Sequence, residues 1–263
     1  MEKNLKISVV TVCYNAVDTL EETMLSVLNQ TYPHVEYIVI DGGSTDGTVD
    51  IIKKYSDRLA HWVSEPDSGI YDAMNKGIRA ATGDYINFMN AGDKFYNDNV
   101  ITRILNYNCN ADFLVGIAQY RKVNGKRIRY WTPIHKHFEF SEIKNGHAVN
   151  HQSSFIRRSL LTSGYDINYR IIADDLFFIK SVVFEGATYQ PLNIIVAIYD
   201  GFGISNNINT QRKIEAERIH FYTQHNPLNI LPVYRDKRRP KIFKILKSWF
   251  FRIYNQLLPR TIK

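Results

Sequence analysis

The chain has 263 residues, 44% apolar and 13% aromatic, which is enough to bury a large core and too apolar for a disordered chain. Its formal charge of +7 is local: residues 235–263 hold ten Lys or Arg against one acid, Asp236, leaving 23 basic and 25 acidic residues elsewhere. A near-neutral body argues against nucleic-acid binding, and two cysteines, Cys13 and Cys109, cannot build a disulfide framework.

The N-terminus, MEKNLKISVVTVCYN, runs from charges directly into a strand-like segment, without the apolar stretch and cleavage site of a signal peptide. No apolar stretch is long enough to span a bilayer, so a reducing cytoplasmic setting is expected. Lys6–Cys13 is a β-branched apolar run. Asp18 and Glu21 have capping-box spacing ahead of Leu20, Met24, Val27 and Leu28, which recur at helical intervals. Val35–Asp41 reads as a second buried strand, 44–55 as a helix, His61–Ser64 as a short strand, 70–81 as a helix and Tyr85–Asn90 as a strand. This βαβαβ rhythm predicts a mostly parallel central sheet flanked by helices.

The second half is less regular. Phe113–Tyr120 and Arg127–Trp131 read as a strand pair around Asn124-Gly125, and 132–150 as a loop, a segment expected to cover an acceptor site. His151–Ile156 is predicted as a strand, 174–185 as a helix stopped by Gly186, 188–199 as a strand and 209–225 as a helix. His135, His137, His147 and His151 crowd one region, but no cysteine joins them, and pocket or surface histidines are expected rather than zinc.

Residues 226–239 read as a linker. From Ile242 to Leu258 apolar residues fall at i, i+3, i+4 steps, with Lys241, Lys244, Lys247 and Arg252 on other faces. A basic amphipathic helix over 240–263 carrying Trp249, Phe250 and Phe251 fits attachment to an anionic membrane surface better than a nucleic-acid arm.

Ligands of open parallel sheets bind beyond the carboxyl ends of the strands. Four polar or Gly-rich clusters stand there: 11–15 (including Thr11, Tyr14 and Asn15), 41–47 (including Asp41, Gly43 and Ser44), 65–69 (including Asp67 and Gly69) and 90–93 (Asn90 to Asp93). Gly42 and Gly47 have P-loop spacing, but Thr48 stands where the lysine is needed, and no G-x-G-x-x-G follows the first strand. Turn chemistry explains the glycines of 41–47 without requiring an Asp at the strand end, so nucleotide contact is the expectation.

Seven segments, SVVTVCYN, VEYIVIDGGSTDGT, SEPDSGIYDAMNKGI, INFMNAGD, HQSSFIRRSLL, IIADDLFF and DGFGISNN, occur in the order found in family-2 glycosyltransferases of GT-A fold. The chain resembles that family over roughly 5–225, and within it the subgroup that builds bacterial surface polysaccharides. The resemblance implies a glycosyltransferase domain over 1–225, with a nucleotide half to about 105 and an acceptor half beyond. Thr11, Tyr14 and Asn15 would line the nucleotide pocket, and Asp41 would accept a bond from the base. Asp67 and the stretch Gly69 to Lys76, including Asp72 and Asn75, would flank ribose and diphosphate. Asp93 would hold a divalent cation, and Asp174 would be the general base with Asp175 as the alternative. His151 and Gln152 would shape the sugar or acceptor pocket.

The implied reaction is inverting transfer from a UDP-, GDP- or dTDP-sugar to a hydroxyl of a glycan, expected on a lipid carrier at the inner membrane face. The diphosphate leaving group gains charge, which a hard cation, Mg²⁺ or Mn²⁺, stabilises, while a carboxylate opposite takes the hydroxyl proton. Gly92 stands where the family usually has another acid, leaving Asp93 as one protein carboxylate for the metal. The rival reading is a non-catalytic nucleotide-sugar-binding or membrane scaffold protein of the same fold.

Overall fold

The structure, a computed structural model, describes residues 4–107, 109–120, 130–131, 150–199 and 210–225. Strand β1 (Ile7–Cys13) is buried at every position, as expected of a strand covered on both faces. It lies between β2 (Val35–Asp41) and β4 (Tyr85–Phe88), and β3 (His61–Ser64) borders β2; all three pairings are parallel. The register aligns Cys13 with Asp41 and Asp41 with Ser64, which brings three strand ends level.

Helices α1 (Leu20–Leu28), α2 (Thr48–Lys54) and α3 (Ile70–Ala80) make the connections. Leu20, Met24 and Val27 of α1 share a buried cluster with Val9, while α3 packs on Val10 through Gly77, where a Cβ would overlap the valine side chain. Since Val9 and Val10 point to opposite sides of β1, the two helices cover opposite faces of the sheet.

Local side-chain bonds moved two predicted boundaries. The capping box does not form: Thr19 is the N-cap, without a side-chain cap bond. Glu21 instead accepts from Lys54 Nζ (2.7 Å) and Tyr55 OH (2.6 Å), joining α1 to the end of α2. Helix α2 starts at Thr48 rather than 44, because Asp41 takes the amides of Gly43 and Ser44 and Asp46 takes that of Thr48.

Past β4 the sheet changes sense. The order is β3-β2-β1-β4-β8-β6-β9-β5, with β7 (Tyr130–Trp131) on β6 (Phe113–Tyr120). Strand β8 (Ser154–Arg157) is antiparallel to both β4 and β6; β6 and β9 (Tyr189–Tyr199) are parallel, and β5 (Lys94–Phe95) is antiparallel to β9. Parallel pairing thus governs β3 to β4 and gives way to a mixed arrangement. Neither β5 nor helix α4 (Val100–Leu105) was predicted.

Residues His151–Ser153, expected to open a strand, form a 3₁₀ turn capped by Asn150, whose Oδ1 accepts from Ser153 N (3.1 Å). The helix expected at 174–185 is α5 (Ala173–Ile179), widening into a π-helical turn at Lys180–Phe184.

The chain divides into two units, Met1–Gly203 and Ile204–Lys263. In the second, α6 (Gln211–His225) stacks Phe221 on His225 with ring centroids 4.3 Å apart. The Asn124-Gly125 turn, loop 132–149, the segment DGFGISNN, the linker and the predicted tail helix lie outside the described residues. Among the described residues no helix is long and apolar enough to cross a membrane.

Candidate active site

The ends of β1, β2 and β3 form one stitched platform. Asp41, fully buried, accepts bonds from the amides of Gly43 (3.1 Å) and Ser44 (2.9 Å), from the Ser44 hydroxyl and from Ser64 Oγ (2.6 Å). Burial alone would raise its pKa, but these donors hold the carboxyl below the ordinary 3.8. Asn15 adopts the left-handed conformation at φ +46°. That places its Oδ1 3.0 Å from the Thr45 amide, and its own amide donates to Ser44 Oγ at 2.7 Å. Tyr14, beside it, is 65% exposed.

The next loop is fixed to the same platform. Gly43 sits at φ +84°, where a side chain would press on the backbone of Pro66. Gly42 has the Asp67 carboxylate against it, so an added Cβ would overlap Asp67 Oδ2. Asp67 Oδ1 accepts from the Gly69 amide (2.8 Å) and Asp72 Oδ2 from the Ser68 amide (3.0 Å), which fixes the chain just ahead of α3. Lys76 reaches back to Pro66 O (2.9 Å) and Glu65 (2.8 Å) and straps the loop.

Two expected ligand groups serve internal bonds. Thr11 is fully buried; its hydroxyl donates to Met89 O (2.8 Å) and lies 2.9 Å from Tyr37 OH. Asn75 donates from Nδ2 to Tyr165 O (2.8 Å) and accepts from the Tyr165 amide (2.7 Å), tying α3 to the 164–165 turn.

Asp93 lies beyond β4 and is 4% exposed. The Thr23 hydroxyl on α1 accepts from the Gly92 amide (3.0 Å) and donates to Asp93 O (2.7 Å), clamping a turn in which Gly92 has φ +100°. Gln152 Nε2 donates to Asp93 Oδ2 at 2.7 Å. Gln152 is itself buried, and its backbone oxygen accepts from Asn87 Nδ2 on β4 (3.0 Å). The structure therefore aims Gln152 at the Asp93 carboxylate.

Its neighbour His151 bonds elsewhere. Nδ1 is 2.7 Å from Asp174 Oδ2, and Nε2 is 3.0 Å from Asn90 Nδ2. Tyr71, in the first turn of α3, donates to Asp174 Oδ1 at 2.6 Å. Burial would lower the His151 pKa, but Asp174, with the charges of Asp93 and Asp175, raises it above 6.5. Burial would raise Asp174, but His151 and Tyr71 hold it below 3.8. Both shifts favour an imidazolium–carboxylate pair. Asn90 Oδ1 is buried without a hydrogen-bond partner among the described residues, and turning that amide over would present Oδ1 to a protonated Nε2. Asp175 is 4% exposed.

The predicted residues thus fall into two joined groups. Asn15, Asp41, Gly43, Ser44, Asp67, Gly69, Asp72 and Lys76 build the platform, with Tyr14 exposed beside them. Asn90, Asp93, His151, Gln152 and Asp174 form a bonded cluster, reached from α3 by Tyr71. Tyr71 falls in the stretch 69–76 expected to flank ribose and diphosphate, but its bond to Asp174 is not expected from the sequence, nor are the roles of Thr23 and Asn87. Tyr71 lies inside SGIYDAMNKG, where its place in a helix's first turn was the available signal. Thr23 and Asn87 look like ordinary helix and strand positions.

Among the described residues no three His, Cys, Asp or Glu side chains converge as a metal cage. A single buried hard carboxylate fits a cation whose remaining ligands are diphosphate oxygens and water, and does not fit structural zinc.

Comparison with known proteins identifies the family. The model of "Glycosyl transferase family 2" matches residues 8–164. The uncharacterized glycosyltransferase Rv1514c of Mycobacterium tuberculosis is 34% identical over 210 residues, covering 76% of this chain and 77% of that one. The putative teichuronic acid biosynthesis glycosyltransferase TuaG of Bacillus subtilis is 44% identical over 95 residues, covering 35% of this chain and 38% of its own. Among solved structures, S. aureus TarS 1–349 in complex with UDP superposes with TM-score 0.61 at 20% identity, over 82% of this chain and 66% of that one. The mannosyltransferase PcManGT of Pyrobaculum calidifontis, in complex with GDP-Man and Mn²⁺, gives TM-score 0.57 at 20% identity, over 93% of this chain and 68% of that one. At these identities the two structures speak for the fold alone. The family model, spanning more than half the chain, and the long match to Rv1514c carry the assignment: this chain is a member of glycosyl transferase family 2.

Proposed function

We propose that the chain transfers a sugar from a nucleoside-diphosphate sugar to a hydroxyl of a growing bacterial surface glycan, with inversion at the anomeric carbon. The observation that carries this reading is the bonded cluster that joins Asp93, beyond β4, to Asp174, at the start of α5, through the consecutive residues His151 and Gln152. TuaG, matched over part of its length, supports the glycan class, and the TarS and PcManGT complexes support a UDP- or GDP-type donor.

The platform receives the nucleotide. Tyr14 offers an exposed ring face for a base, and Asp41 acts chiefly by shaping the 43–44 turn beneath it. Asp67, Gly69, Asp72 and Lys76 border the ribose and diphosphate, and Asn90 and Asp93 lie at the diphosphate end. Asp93 would hold Mg²⁺ or Mn²⁺, which supplies charge stabilisation to the departing diphosphate.

Asp174 takes the proton of the acceptor hydroxyl. Its bonds from Tyr71, His151 and the Asp175 amide leave lone-pair capacity, since a carboxylate has about four acceptor sites. As the acceptor oxygen bonds to the anomeric carbon, the carbon–oxygen bond to diphosphate breaks and the nucleoside diphosphate leaves with that electron pair. Asp175 is the alternative base. The tail 240–263 would hold the enzyme at the inner membrane face near a lipid-linked acceptor; deleting it should move the protein from membrane to soluble fractions.

The test is a thermal-shift screen of UDP-, GDP- and dTDP-sugars with and without Mn²⁺, followed by donor hydrolysis with wild type and Asp93→Ala. Stabilisation by one donor family, with turnover lost in the variant, is expected. Binding without turnover would instead favour a non-catalytic sugar-nucleotide-binding protein.

A further inference from the structure

We propose that His151 and Gln152 are paired positioning residues, one for each working carboxylate: Gln152 sets the Asp93 carboxylate for the cation and His151 sets the Asp174 carboxylate for the acceptor proton. This rests on the roles given to Asp93 and Asp174 above.

Consecutive α-carbons are about 3.8 Å apart, so two side chains on one short turn fix the offset between what they grip. The turn is itself held. Asn150 accepts from the Ser153 amide, its backbone oxygen accepts from Ser154 Oγ (2.7 Å), and Asn87 Nδ2 donates to the backbone oxygens of Gln152 and Ser154 (3.0 and 2.9 Å). From this anchor Gln152 reaches Asp93 Oδ2 and His151 reaches Asp174 Oδ2, each at 2.7 Å.

The residue types suit different tasks. Gln152 is a neutral donor, so it orients Asp93 without cancelling the charge that a cation needs; a Lys or Arg there would cancel it. The His151 ring spans Asn90 and Asp174 and so links the loop after β4 to the first turn of α5. Outer partners that orient metal-binding or catalytic groups typically contribute tenfold to a hundredfold in affinity or activity.

The two halves predict opposite kinetic signatures. The probes are UDP, GDP and dTDP, each titrated calorimetrically with Mn²⁺ and with EDTA, alongside donor hydrolysis. In Gln152→Met, which keeps volume but removes the donor, the Mn²⁺-dependent gain in nucleotide affinity should fall about tenfold to a hundredfold. Binding in EDTA should hold, and excess Mn²⁺ should recover turnover. In His151→Ala, nucleotide affinity with Mn²⁺ should stay within about twofold while turnover at saturating donor falls on the order of a hundredfold, unrescued by Mn²⁺. His151→Gln, which can still donate towards Asp174, should recover part of the rate. Losses of binding and turnover that simply follow melting temperature in both variants, or no loss in either, would overturn the proposal. If wild type itself binds none of the three nucleotides and hydrolyses no donor, it is the functional reading of the site that fails.

Discussion

The His151 ring and the Asp174 carboxylate, 2.7 Å apart, each displace the other's titration: the histidine upward, the acid downward. The signs define a pH window. The stabilisation from His151 is complete below its ordinary 6.5 and is lost as pH rises through the elevated folded value. That from Asp174 is complete above 3.8 and is lost as pH falls through the depressed folded value. Melting temperature should therefore decline from pH 6 towards pH 9 in wild type more than in His151→Gln, each unit of displacement being worth about 1.4 kcal/mol. Parallel curves for the two proteins would show that the pair is not charged.

The two neighbouring acids can be separated by kinetics. Asp174→Asn should lower turnover by roughly 10²–10⁴-fold, the usual contribution of a general base, with nucleotide affinity nearly unchanged. Asp175→Asn should lower it less. The reverse ranking, measured at saturating donor and Mn²⁺, would transfer the role to Asp175.

Tyr71→Phe removes the bond to Asp174 Oδ1 while keeping the ring that packs edge-on against Tyr165, centroids 5.6 Å apart. A loss of about 1 kcal/mol in stability is expected. Turnover should fall roughly tenfold, with nucleotide binding unaffected. Unchanged turnover would mean that Asp174 needs no support from α3.

Two glycines should respond differently to alanine. Gly77→Ala forces a methyl into Val10 between α3 and β1 and should cost about 1–3 kcal/mol, read as a drop of several degrees in melting temperature. Gly42→Ala overlaps the end of the Asp67 side chain, which can swing aside, and meets the Tyr14 ring at ordinary contact distance. Stability should hold while nucleotide affinity drops, roughly tenfold, as the Asp67 loop is displaced. A large melting shift in Gly42→Ala with intact binding would contradict the placement of Asp67 beside the ligand.

Much of the parallel half was legible because its signals are local. β2 and β3 match the predicted bounds, and β1 and α3 do so to within a residue, since each apolar run or helical stripe ends where polar residues begin. The start of α2 and the turn at His151 were misread because Asp46 and Asn150 capture backbone amides that a helix or strand would use. Two-residue β5 has no pattern to read. Within the site, chemistry-bearing side chains were visible but their partners were not. Thr11 and Asn75 have the right types for ligand contact, yet bond to Met89 and Tyr165, which lie 78 and 90 residues away. Thr23 supports Asp93 across 70 residues, a relation that no window of sequence contains.

The change of sense at β4 also bears on the order in which the molecule assembles. β1 pairs Ile7 with Val35 and β2 pairs Ile38 with His61, whereas β4 pairs Tyr85 back onto Ile7, β8 pairs Ile156 back onto Ile86 and β9 pairs Pro191 back onto Val115. Closing such wide loops is slow relative to nearby strand crossovers. Hydrogen-exchange labelling during refolding should find the amides of β1, β2 and β3 protected ahead of those in β4, β8 and β9. Asp93 would then wait, its turn clamped by Thr23, until Gln152 arrives.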